Sequence, residues 1–170
     1  MTDTDNCNQK RRLLVVTVVA AIAIVASLLI RTFILTPVQV SGISMNPTFQ
    51  DNQKVMMSTI SYQIGEPQRG DVVIFQAPNE KDGTLYIKRV IAVPGDHLRI
   101  ADGQVFVNNE LLVEDYINTD YTAGSIDTVI PEDSVFVMGD NRNHSHDSRS
   151  EDVSFINYEL INGKVLCQAS

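Results

Sequence analysis

The hydrophobic pattern of the chain divides it in two. Leu13 to Ile30 runs 18 residues without a charge. As a helix this stretch is about 27 Å long, close to the hydrocarbon thickness of a bilayer. It has no polar face, so it reads as a lipid-facing span rather than a core helix. Arg31 interrupts it, Phe33, Ile34 and Leu35 resume it, and Thr36-Pro37 breaks it. A cleavable leader has a shorter apolar region, about 7–15 residues, followed by a small-x-small site. Here Arg-Thr-Phe-Ile-Leu-Thr-Pro follows instead, which favours a permanent anchor. Lys10, Arg11 and Arg12 precede the span. By the positive-inside rule, 1–12 is cytoplasmic, 13–35 is a single-pass anchor in the cell membrane, and 36–170 is an extracellular domain.

Beyond the anchor the pattern changes to short β-rich runs with turn residues between them. Asp71–Phe75, Leu85–Val93, His97–Ile100, Gln104–Val107, Glu110–Val113, Ser134–Met138 and Lys164–Cys167 read as strands. Asp102-Gly103 is a strong hairpin signal, and Asn108-Asn109 offers a second turn. Ile156–Ile161 reads as one helical turn with Gly163 as its C-cap. Asp115–Thr128 is polar and irregular and reads as a surface excursion. The expected fold is mainly β, an antiparallel β-sheet sandwich or barrel-like domain behind one N-terminal transmembrane helix.

Charge narrows the partners. From residue 36 onward, nine Lys and Arg face nineteen Asp and Glu, a net charge of −10. Such a domain is a poor nucleic-acid binder. Cys7 and Cys167 fall on opposite sides of the expected membrane, so they form no disulfide framework.

Three segments carry candidate chemistry. Gly42 and Pro47 bracket Ser44 in a turn, where a hydroxyl and nearby backbone N–H groups can meet one carbonyl. The segment is neither a GxSxG elbow, because Asn46 takes the second glycine position, nor an SxxK motif, because Pro47 takes the lysine position. Lys88 lies inside the apolar run Tyr86-Ile87-Lys88-Arg89-Val90. Burial there lowers a lysine pKa and makes it a base for serine; the ordinary alternative is an edge-strand lysine with its amine in water. Period-2 alternation puts Tyr86, Lys88 and Val90 on one face and Ile87, Arg89 and Ile91 on the other. In Gly139–Arg149, Asp140, Arg142, Asp147 and Arg149 balance in charge, as in a loop held by internal salt bridges. Ser145 can orient the lysine amine by hydrogen bonding. His144, His146 and Asp147 also allow a His-dependent triad or a metal site. The only other histidine is His97, which leaves a metal short of ligands.

Together these segments resemble bacterial type I signal peptidases (leader peptidases, peptidase family S26). The family boxes are S/G-x-S-M-x-P-T, Y-I-K-R-V-x-x-x-P-G-D and G-D-N-R-x-x-S-x-D-S-R. They stand here at Gly42–Thr48, Tyr86–Asp96 and Gly139–Arg149. Gly70-Asp71-Val72-Val73 and the anchor agree as well. The resemblance implies a serine endopeptidase without cofactor or metal, acting on exported preproteins at the bilayer. It would remove signal peptides after small-x-small sites, typically Ala-x-Ala. Ser44 would be the nucleophile and Lys88 the general base. Ser145 would position the lysine, Asp147 and Arg149 would form the ion pair beneath it, and Asp140 and Arg142 would assist. Met45, Tyr86 and Ile87, and more loosely Val40 and Phe49, would form the shallow substrate subsites.

Some positions depart from the family pattern. One branch of the family has serine at Gly42, so this chain lacks that oxyanion donor. Phe49 replaces the usual leucine, and Ser150-Glu151 replaces an aromatic-Gly pair. With one anchor and no large inserted domain, the chain is similar to the compact Gram-positive form. Only 13 residues separate Ile30 from Ser44, which keeps the nucleophile within about 45 Å of the span. A self-cleaving repressor-type protease shares the Ser-Lys chemistry, but this chain shows neither a DNA-binding module nor a cleavage segment. A tethered β-domain that only binds an export partner leaves Ser44, Lys88 and the polar loop without a common cause.

Overall fold

The computed structural model describes the backbone of residues 3–33, 35–80 and 82–168, and the side chains of 9–27, 35–80 and 82–166. The chain forms two compact units, 1–35 and 36–170.

The first unit is the helix α1 (Asp3–Phe33). Its described apolar side chains are exposed on every side, Leu13 at 69 % and Ile22 at 63 % among them. Thr17 donates its hydroxyl back to Leu13 O at 2.7 Å, which satisfies it within the helix. Among the described residues no helix is long and apolar enough to cross a membrane. The C-terminal end of the expected span, Leu28 to Ile34, lies outside the described side chains, as do both cysteine side chains.

The second unit is built from antiparallel strands. They are β1 (Leu35–Gln39, which begins at the unit boundary), β2 (Lys54–Ser58), β3 (Val72–Gln76), β4 (Leu85–Ala92), β5 (His97–Ala101) and β6 (Gln104–Val107). Then follow β7 (Glu110–Leu111), β8 (Ile126–Val129), β9 (Ser134–Met138), β10 (Ile156–Asn157) and β11 (Ile161–Gln168). A seven-stranded sheet has the order β1-β2-β11-β3-β4-β9-β10, and a four-stranded sheet the order β7-β6-β5-β8. Both are open in this order, so the barrel-like alternative is not what forms. The end strand β10 is only two residues long and pairs with β9 alone among the described residues.

The β5–β6 hairpin turns at Asp102 and Gly103, both with positive φ, as the Asp-Gly signal requires. Asn108 and Asn109, also at positive φ, make the β6–β7 turn. β3 and β4 read as continuous apolar runs because both their faces are covered. Ile74 and Ile87 join a cluster with Val40, Met45 and Phe49. Val73, Phe75 and Val90 join another with Val135, Val137 and Ile156. A third cluster, including Ile91, Leu98, Ile100, Val105 and Phe136, joins the two sheets.

The structure corrects several expectations. β1 and β2 are strands that the sequence pattern did not mark. The 115–128 excursion ends in a true strand, β8, paired with β5. The turn expected at Ile156–Ile161 is a 3-10 turn at Tyr158–Leu160. Gly163 is no helix cap. It lies inside β11, where the sheet needs it bare: a Cβ there would sit 2.3 Å from Ser58 O and 2.8 Å from Met57 Cγ. Gly163→Ala should therefore cost about 1–3 kcal/mol of stability. The check is a thermal melt against the parent chain, and an unchanged midpoint would show that β11 slides to make room.

Candidate active site

The Ser44 segment is a compact turn, shaped first by its backbone. Gly42 has φ +90, a conformation that favours glycine. Its N–H donates to Asp51 Oδ1 at 2.8 Å. Phe49 N–H donates to Met45 O at 2.9 Å, one helix-like turn. That turn aims Met45 and Phe49 inward, where they are 0 % and 7 % exposed. It leaves Ser44 half-buried at the surface of the turn.

Lys88 comes from β4, opposite Val73 of β3. Its residue is only 4 % exposed. Nζ donates to Ser44 Oγ at 2.9 Å and to Ile87 O at 3.1 Å. It lies 5.2 Å from the centroid of the Tyr86 ring. Burial pushes the amine down from 10.5 to about 8, against the pull of the Asp147 and Asp140 charges. The arrangement is a hydroxyl in hydrogen-bond contact with an amine that is easily neutralised.

The polar loop after β9 packs against this pair. Asn141 N–H donates to Ser44 O at 3.0 Å, and Asn141 Nδ2 donates to Ile43 O at 3.1 Å. Gly139 fills the remaining gap. A Cβ there would lie 2.3 Å from Ser145 Oγ and 2.5 Å from Ser44 O. Asp147 is buried and pairs with Arg149 through Nε and Nη2, both at 2.8 Å. Burial acts to raise the Asp147 carboxyl. Arg149 and the Gly139 N–H outweigh it and hold the group below its usual range, with the nearby Ser145 hydroxyl adding a smaller contribution.

Of the four loop charges expected to pair internally, Asp147 and Arg149 do so, whereas Asp140 and Arg142 find partners outside the loop. Asp140 takes Arg89 of β4 at 2.8 and 2.6 Å, and Arg142 takes Glu114. Among the described residues Ser145 Oγ is buried, with no hydrogen bond of normal geometry to Lys88 or to any other group. Arg89, Glu114 and Tyr116 received no site role from the sequence. The charge of Arg89 inside an apolar strand was the one available signal.

A cleft of about 420 Å³ opens over Ser44 and Lys88. Val40, Tyr86 and Ile87 line it, together with Val38, Ile74 and Leu85. Met45 and Phe49 are not in its lining. They are buried beneath it, in one cluster with Val40, Ile74 and Ile87. One wall of the cleft is a strand edge with no ladder partner among the described residues. Leu85 to Lys88 pair with β3, whereas the pairing of β4 with β9 begins only at Arg89.

His144 and His146 also line the cleft, but their partners lie elsewhere. His146 bonds Asp152 at 2.9 Å, and His144 bonds Asn141. Ser44 Oγ has Lys88 as its partner, which argues against a His-dependent triad. Among the described residues no three His, Cys, Asp or Glu side chains are grouped to hold a metal.

Known proteins are similar to this chain over most of its length. A family model described as signal peptidase, peptidase S26, matches residues 11–168. A probable signal peptidase I-2 from Synechocystis is 38 % identical over 134 residues, 74 % of this chain and 60 % of the relative's length. Signal peptidase IB of Staphylococcus aureus is 34 % identical over 174 residues, covering 92 % of this chain and 88 % of its own. The crystal structure of a signal peptidase I from Enterococcus faecalis V583 is 32 % identical with a TM-score of 0.51, covering 61 % of this chain and 98 % of that one. A family match over almost the whole chain, relatives above 30 % identity and a shared fold converge on one conclusion: this chain belongs to the signal peptidase family, peptidase S26, a family of serine endopeptidases.

Proposed function

We propose that the chain is a membrane-anchored signal peptidase that cuts exported preproteins after small-x-small sites with a Ser44–Lys88 dyad. The observation that carries this reading is the 2.9 Å contact between Ser44 Oγ and the buried Lys88 amine. Neutral Lys88 takes the Ser44 proton as Oγ attacks the scissile carbonyl carbon. The tetrahedral intermediate collapses, the C–N bond breaks, and Lys88 passes its proton to the departing amine. The mature protein leaves and the signal peptide stays as an ester on Ser44. Water then gives a proton to Lys88 and attacks the ester. Ser44 recovers its proton, and the signal peptide departs with a free carboxylate. The Ser44 backbone N–H donates to the developing oxyanion. Gly42 adds no side-chain donor there.

An extended substrate strand fits the bare edge of Leu85–Lys88, where main-chain hydrogen bonds hold it. Val40, Tyr86 and Ile87 contact its side chains. Met45 and Phe49 set the cleft floor from below and favour small residues next to the cut. Asp147 and Arg149 brace the loop under the dyad. Ser145 supplies a buried hydroxyl near Asp147, available to the Lys88 amine when it turns from Ser44.

Helix α1 is the proposed single-pass anchor in the bilayer, with 1–12 cytoplasmic and the catalytic unit extracellular. Apolar side chains exposed on all its sides suit lipid better than water.

Three outcomes follow. Detergent-solubilised full-length protein should cleave a preprotein with an Ala-x-Ala site, and Ser44→Ala and Lys88→Arg should both reduce turnover by at least about 10³-fold. Turnover retained in Lys88→Arg would sink the neutral-base role, since a guanidinium stays charged. The kcat/KM of the parent should rise with pH through about 8 and fall away below it, because only the deprotonated amine is a base. A flat profile from pH 6 to 9 would contradict this.

Stability should move with the same group. The folded pKa lies below the unfolded value of 10.5, so the unfolded chain binds more protons between about 8 and 10.5. The charged amine therefore costs up to about 3 kcal/mol below pH 8, and that cost fades as pH rises towards 10.5. Lys88→Met should be inactive yet melt higher than the parent at pH 7, with the gap closing by pH 10. An equal or lower midpoint at pH 7 would show that the amine is not strained by burial.

A further inference from the structure

Glu114 lies in the polar segment between β7 and β8, yet its side chain is only 5 % exposed. Both carboxylate oxygens are taken by the guanidinium of Arg142, whose own side chain is fully buried. Tyr116 donates its hydroxyl to the same carboxylate at 2.6 Å. Arg142 further donates to Thr122 Oγ1 at 3.0 Å and to Gly139 O at 3.2 Å. A buried arginine deprived of its carboxylate is strongly destabilised, so Glu114 fixes where Arg142 can sit.

Tyr116 also supports a second arginine. The Arg89 guanidinium stacks over its ring, with Cζ 4.0 Å from the centroid. Arg89 is the bidentate partner of Asp140, and Asp140 accepts from Thr48 of the nucleophile turn. Both arginines therefore act on one short stretch, 139–142. That stretch meets the nucleophile through Asn141, whose N–H and side chain hold Ser44 O and Ile43 O. Neither Glu114 nor Tyr116 contacts Ser44 Oγ or Lys88 Nζ in any of these bonds.

We propose that Glu114 and Tyr116 are positioning residues that lock Arg142 and Arg89, and through them hold the Ser44 turn at its attacking distance. The inference rests on the reading of Ser44 and Lys88 as the catalytic pair. Misplacing a nucleophile by about 1 Å can cost on the order of 10²-fold in rate, so such a clamp acts on kcat rather than on substrate affinity.

The test uses the full chain in detergent micelles with a peptide carrying an Ala-x-Ala site. The variants are Glu114→Gln, Tyr116→Phe, Thr48→Val and the Tyr116→Phe/Thr48→Val double variant, each assayed well below its melting midpoint. Tyr116→Phe keeps the ring under Arg89 and removes only the hydroxyl, so it serves if Glu114→Gln does not fold. The expected result is a fall in kcat of about five- to thirtyfold with KM within about twofold. The pH midpoint of kcat/KM should stay in place, because the base is untouched. Tyr116→Phe and Thr48→Val should combine non-additively in kcat, since the first loosens Gly139 through Glu114 and Arg142 and the second loosens the adjoining Asp140. Folded variants with lower melting points but kcat within about twofold of the parent would overturn the inference and leave Glu114 a purely structural residue. Cleavage that persists in Ser44→Ala would instead overturn the catalytic reading. Amide exchange then decides the clamp alone: faster exchange at Asn141 N–H in Tyr116→Phe supports it, and unchanged exchange overturns it.

Discussion

An amine removed from water must find acceptors nearby, and the site is organised around how Lys88 does so. Its two hydrogen-bond acceptors are Ser44 Oγ and the carbonyl of Ile87. The nearest carboxylates, Asp147 and Asp140, would restore its charge if they stood free. Each is instead engaged by an arginine, Asp147 by Arg149 and Asp140 by Arg89. The acids thus brace the site without fully recharging the amine. Burial wins the balance, and the amine is pushed down to about 8, easier to neutralise than a lysine in water.

The same arginines join parts of the chain that are far apart in sequence. Arg89 belongs to the lysine strand, Asp140 to the loop after β9, and Thr48 to the nucleophile turn. Arg142 and Arg149 extend this outward to Glu114 and Ala123. Ion pairs at the surface contribute little, but a buried network with every donor placed imposes geometry. Gly139 shows how tight that geometry is, since the backbone of Ser44 and the hydroxyl of Ser145 leave no space for a single methyl group.

Much of this was legible in the sequence, and the reasons for the remainder are physical. A serine in a bracketed turn and a lysine in an apolar strand stand out because each violates its local pattern. The Asp102-Gly103 hairpin is written in φ preferences that few residues share. β1 and β2 are harder, because Pro37 and mixed exposure in Leu35–Gln39 mask the strand pattern. β8 alternates half-buried and exposed residues in a stretch that otherwise looks polar. Charge pairing was the least visible feature. The pairs 114–142 and 89–140 close only in three dimensions, and local charge balance could show the 147–149 pair but not these. Met45 and Phe49 were read as lining the cleft, whereas the one-turn geometry from Met45 to Phe49 hides both beneath it.

The bare edge of β4 has a wider consequence. Backbone hydrogen bonding is indifferent to side chains, so an open edge offers the same welcome to any extended chain. Because that edge runs straight into Lys88, an exposed strand from a misfolded neighbour, or from a second copy of this chain, would present its own carbonyls to the same place. Discrimination then falls to what stands around the edge: the shallow relief of the floor, and whether a given polypeptide is unfolded at the moment it passes. If the edge holds substrate as proposed, such an enzyme would sort its clients by their lack of structure as much as by their sequence.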